Sequence, residues 1–71
     1  MQTVAITTEY ITLGQLLKLT NCIHTGGEAK AFLQANKVLV NGQPENRRGR
    51  KLVPGDLVEV DGYGAFAVAR R

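Results

Sequence analysis

The stretch "KVLVNGQPENRRGRKLVPGDLVEV", residues 37–60, decides the fold. Val38, Leu39 and Val40 form an apolar run that enters Asn41-Gly42, a dipeptide that favours a tight hairpin turn because both residues accept a left-handed backbone. "KLV", residues 51–53, precedes Pro54-Gly55-Asp56, where Pro fixes φ and Gly permits a positive one. "LVEV", residues 57–60, then closes on Asp61-Gly62. "YGAFAVA", residues 63–69, supplies a last strand with Phe66 and Val68 on one face. From Lys37 onward the chain reads as β.

The half before Lys37 reads differently. "TVAIT", residues 3–7, alternates Val4 and Ile6 with Thr3, Ala5 and Thr7 and reads as a short strand. Thr12 and Gln15 have capping-box spacing, and Leu13, Leu16 and Leu17 follow as the apolar stripe of a helix of about two turns. Thr25 and Glu28 repeat that spacing and open a second helix with inner face Ala29, Phe32 and Leu33. Asn36, tolerant of the left-handed conformation, stands where this helix stops. Both helices are too short to persist alone, so packing must hold them. Two short helices packed on a small, mostly antiparallel β-sheet bury every stripe, and the expected fold is α+β.

At 71 residues, 44% hydrophobic and 21% charged, the chain can form one small core and is too apolar for disorder. The uncharged run "YITLGQLL", residues 10–17, falls far short of the ~20 apolar residues that span a bilayer. "MQTVAITTEY" lacks the basic start of a signal peptide. A single cysteine, Cys22, excludes an internal disulfide framework, and a cytoplasmic protein is expected.

Charge is localised. Nine Lys and Arg against six Asp and Glu give +3, yet "RRGRK" alone, residues 47–51, holds four of the cations. The other positions carry five cations and six acids. Arg47, Arg48, Arg50 and Lys51 are expected in or beside a hairpin loop, and arginine presents a planar fork of donors suited to phosphate. Gly49 lets the backbone turn sharply or approach a ligand closely. A solvated loop guarding a sheet edge is the plain alternative, but four cations exceed that need. Focused positive charge in an otherwise slightly acidic chain points to a polyanion, nucleic acid foremost.

"IHTGGEAK", residues 23–30, is a second candidate. Thr25, Gly26 and Gly27 open a helix whose unhindered N–H groups suit a phosphate, with Lys30 one turn later. The alternative is a tight interhelical turn with a capped start; the spacing of a P-loop is absent. Cys22 and His24 are too few for a zinc site and are expected as a buried thiol and a surface imidazole. The acids Glu45, Asp56, Glu59 and Asp61 assemble no acid–base pair, so no catalytic residue, metal or cofactor is expected. Of the aromatic residues, Phe32 and Phe66 occupy core-like positions, and Tyr63 follows a turn. That leaves little stacking surface for an unstructured single strand. Phosphates presented by a folded RNA fit better.

The ordered series "ITLGQLLKL", "GGEAK", "FL", "VLVNG", "NRRGRKL" and "GD" resembles the S-four RNA-binding domain, or αL RNA-binding motif, and in particular its stand-alone YaaA-like bacterial subgroup. The resemblance implies a single RNA-binding domain over residues 1–71, with the core motif at about 11–60. It also implies one RNA-facing surface: Thr25, Gly26, Gly27 and Lys30 at the helix start, Lys37 and Asn41 near the hairpin, and Arg47, Arg48, Arg50 and Lys51. Many members carry a Ser-Arg pair where this chain has Thr25-Gly26, which shifts weight onto the 47–51 loop. The implied partner is structured RNA, ribosomal or transfer, on the ribosome or its precursors, with neither membrane nor DNA expected. A protein-interaction module that meets an acidic protein is the competing reading.

Overall fold

A computed structural model describes residues 1–71. The elements in chain order are β1 (Gln2–Ile6), β2 (Ile11–Thr12), α1 (Leu13–Leu19), a 3-10 turn (Gly26–Glu28), α2 (Ala29–Ala35), β3 (Val38–Val40), β4 (Gln43–Pro44), β5 (Lys51–Leu52), β6 (Leu57–Val60) and β7 (Gly64–Arg70). The fold is α+β, with two short helices and a mostly antiparallel sheet. No helix is long and apolar enough to cross a membrane.

A five-stranded sheet has the order β1-β7-β6-β3-β4, and β2 pairs with β5 as a separate two-stranded ribbon. Every pairing is antiparallel except β1 with β7. The register is set by burial. Val38 lies opposite Val60, Val40 opposite Val58, Val58 opposite Phe66 and Val4 opposite Val68, and all of these are buried. Leu39 and Glu59 share the other face. A slip of one residue would turn the valines outward, so the pattern specifies one pairing.

Helix α1 begins with a complete capping box: the Thr12 hydroxyl accepts from the Gln15 N–H at 3.2 Å, and Gln15 Oε1 accepts from the Thr12 N–H at 2.8 Å. Leu13, Leu16 and Leu17 face inward and are fully buried. The core comprises sixteen residues, all apolar, with no buried polar or charged side chain. Phe32 lies at its margin, half-buried, with its ring edge-on to exposed Tyr63 at 5.4 Å between centroids.

Three expectations need correction. The Thr25 start opens a 3-10 turn, Gly26–Glu28, rather than α2 itself: the capping box is present, with Glu28 accepting from the Thr25 N–H at 2.9 Å, and the Glu28 N–H also closes a tight turn on the Thr25 carbonyl at 3.1 Å. Residues 47–51 do not form a hairpin loop, because β4 pairs with β3 and β5 pairs with β2. The basic stretch therefore crosses from one sheet to the other. Cys22 is half-buried, with its sulfur accepting from the Thr20 hydroxyl at 3.3 Å, since the chain leaves α1 there and only Ile23 turns fully inward.

Candidate nucleic-acid interface

The basic crossing is held at both sides. On one side its backbone meets the first turn of α1: Leu13 N–H donates to the Arg50 carbonyl at 2.8 Å, and Gly14 N–H donates to the Arg48 carbonyl at 2.9 Å. The first N–H groups of a helix lack partners within it, so the crossing satisfies two of them. Gly14 lies in close contact with this stretch. A Cβ there would lie 3.4 Å from the Arg48 carbonyl oxygen and 3.6 Å from the Ala29 methyl group.

On the other side stands Glu45. Its N–H donates to the Val38 carbonyl at 2.9 Å, fixing it at the end of β4. Its carboxylate receives Arg47 Nε at 2.9 Å, Arg47 Nη2 at 3.0 Å, Arg50 Nη1 at 3.0 Å, and the N–H groups of Asn46 and Arg47. The carboxylate side chain is only 7% exposed, against 72% for Arg47 and 33% for Arg50. Hydrogen bonding from the Arg47 guanidinium, above all, holds the Glu45 carboxyl well below its ordinary range, at about 2. The same pairing raises Arg47 further. The four cations of the sequence are therefore not equivalent: two share one acid.

Arg48 is exposed and has no such partner. With Gly49 it lines an open groove of about 390 Å³ whose other walls are Thr12, Gly14, Gln15 and Lys18 of the α1 segment, together with Gly26 and Ala29. The loop and the turn before α2 thus share one concavity. Lys18 adds a cation that the sequence reading missed. Its signal was its spacing, four residues after Gly14 on the helix face away from the leucines.

The remaining expected residues lie as follows. Thr25 and Gly27 flank Gly26, and Lys30 is exposed on the first turn of α2. The anion-ready helix start is partly occupied, because the Glu28 carboxylate accepts from the N–H groups of His24 and Thr25 and from the Thr25 hydroxyl. The Thr25 backbone bond is the main cause that lowers the Glu28 carboxyl. Lys37 lies outside the groove, lining hollows beside Glu59 and Asp61 and beside Glu45. Asn41 stands at φ 51° with its amide donating to Asp56 at 3.0 Å and accepting from the Leu57 N–H at 2.9 Å. Lys51 Nζ sits 4.9 Å from the centre of the Tyr10 ring, a cation–π contact with an exposed aromatic. The structure joins Gly26, Arg48 and Gly49 in one groove, and leaves Lys37 and Asn41 outside it.

The family model of the S4 domain matches residues 4–68, nearly the whole of this fold. The chain belongs to the S4 domain family. It is 58% identical over 65 residues to the probable ribosome maturation protein RlbA of Bacillus subtilis (strain 168), covering 92% of each chain. A second relative is the small ribosomal subunit protein uS4m of Schizosaccharomyces pombe, 48% identical over 50 residues. That match covers 62% of this chain and 15% of the longer protein.

Proposed function

We propose that this protein is a non-enzymatic RNA-binding module that grips phosphates of a folded RNA, with ribosomal RNA in a maturing ribosome as the target. The observation that carries the reading is the groove in which Arg48, Lys18, Gly49 and Gly26 converge from three separate segments. Cations around a backbone-lined concavity suit phosphate, while the scarcity of free aromatic surface disfavours stacking on a loose strand. The names of the two relatives, one for ribosome maturation and one for the small ribosomal subunit, support the ribosomal target. Arg47, Arg50 and Lys51 enlarge the positive field around the groove. Thr25, Gly27 and Lys30 continue the surface along the helix start, and Lys37 and Asn41 form its periphery.

Salt dependence tests the reading. Three to four phosphate contacts give a slope of about −2 to −4 in log K against log salt, or roughly 20- to 150-fold weaker binding to folded ribosomal RNA at 200 mM than at 50 mM. Arg48→Ala and Lys18→Ala are each expected to weaken binding and to reduce the slope by about one. Affinity insensitive to salt, or ribosomal association in a sucrose gradient that survives ribonuclease, would contradict it.

A further inference from the structure

Glu45 is the only acid in residues 45–51, and it works against the charge of its own segment. It does not act as a weak surface partner. The carboxylate is almost enclosed, and it accepts five hydrogen bonds from Asn46, Arg47 and Arg50. The crossing is already anchored to α1 through the Arg48 and Arg50 carbonyls, so its path does not depend on this acid alone. Fixing two long guanidinium side chains also sacrifices rotamer freedom. What the arrangement achieves is order. Arg47 gives Glu45 two of its side-chain N–H donors and Arg50 gives one, which leaves both guanidiniums with donors uncommitted.

Building on the RNA-binding reading, we infer that Glu45 is a positioning and specificity-determining residue, which locks Arg47 and Arg50 into one fixed fork beside the groove. A fixed fork matches phosphates whose spacing is itself fixed, as on a folded RNA. A flexible single strand adapts equally well to mobile arginines and gains nothing from it. The advantage on folded RNA is the entropy of two side chains already lost before binding, about tenfold in affinity. Electrostatics alone demands the opposite sign: removing an acid strengthens binding to any polyanion.

The test compares Glu45→Gln with Glu59→Gln, a substitution of an exposed acid on the far face of β6 that changes net charge equally. Affinities for folded ribosomal RNA and for polyuridylate are measured at one salt concentration, with thermal melts to show that each variant is folded. E45Q is expected to lose about tenfold on folded ribosomal RNA while binding polyuridylate no more weakly; E59Q loses on neither. In an Arg47→Gln, Arg50→Gln background, E45Q is expected to cost nothing, because its clients are gone. Should E45Q not fold, Glu45→Asp decides: it keeps the charge, shortens the reach, and is expected to lose folded ribosomal RNA selectively. E45Q binding folded ribosomal RNA as tightly as the parent, losing both ligands alike, or still losing affinity without the two arginines would overturn the inference. A parent protein that binds folded ribosomal RNA no better than polyuridylate would overturn the RNA reading itself, and the inference with it.

Discussion

Glycine 26 and glycine 49 show how single residues report on the surface. Neither has a positive φ, and a Cβ built on either would meet nothing within 4 Å. The fold gives no reason for glycine at these positions, yet both line the groove. Gly26→Ala and Gly49→Ala are therefore expected to leave stability unchanged or raise it by about 0.4–1 kcal/mol, while weakening RNA binding with no change of charge. Urea titration and RNA affinity measured on the same samples check both halves. Asn41→Ala, by contrast, is expected to destabilise, costing roughly 2 kcal/mol through a left-handed backbone and two lost hydrogen bonds. Glu45 sets a pH dependence. Its carboxyl falls from 4.5 to about 2 on folding, so its stabilisation is present above pH 4.5 and is lost as pH falls toward 2. E45Q is expected to flatten that part of the acid unfolding curve. The sequence could show that Glu45 stood among arginines, but its enclosure depends on β4, whose two residues carry no periodicity.

Elements of ordinary length were legible and the shortest ones were not. Leu13, Leu16 and Leu17 announced α1 through their helical spacing, and the apolar runs VLV and LVEV, each closed by a turn dipeptide, announced β3 and β6. Asn41-Gly42 placed the turn between β3 and β4. The pairing of β2 with β5 left no signal, since two residues cannot display alternation. That pairing is what turns the basic stretch from a hairpin tip into a bridge between sheets. The parallel contact of β1 with β7 was equally silent, being a matter of how the chain ends meet. The capping box at α1 gives an element-level expectation: Thr12→Ala should cost about 1 kcal/mol. Since the same turn receives the Arg48 and Arg50 carbonyls, fraying it should also loosen the basic crossing. Amide hydrogen exchange of Leu13 and Gly14 checks this, with faster exchange expected in the variant.

The whole molecule is small enough for its core and its surface to be inseparable. Its radius of gyration is 10.7 Å, close to the ~11 Å expected of a compact chain of this length. Sixteen apolar residues hold it together without a disulfide. Stability for such a chain is about 4–10 kcal/mol, and Leu17→Ala, at a fully buried site, should cost about 2–5 kcal/mol. Loss of RNA binding in that variant would therefore reflect unfolding, unlike the surface changes proposed above. The central claim is that loop, turn and α1 present one landing surface on the helical side, while Leu39, Glu59 and Ala65 border a separate hollow. Backbone amide chemical shifts recorded while folded ribosomal RNA is added test it most directly. The largest changes are expected at Gly14, Lys18, Gly26, Arg48 and Gly49; changes concentrated at Leu39, Glu59 and Ala65 instead would contradict the account.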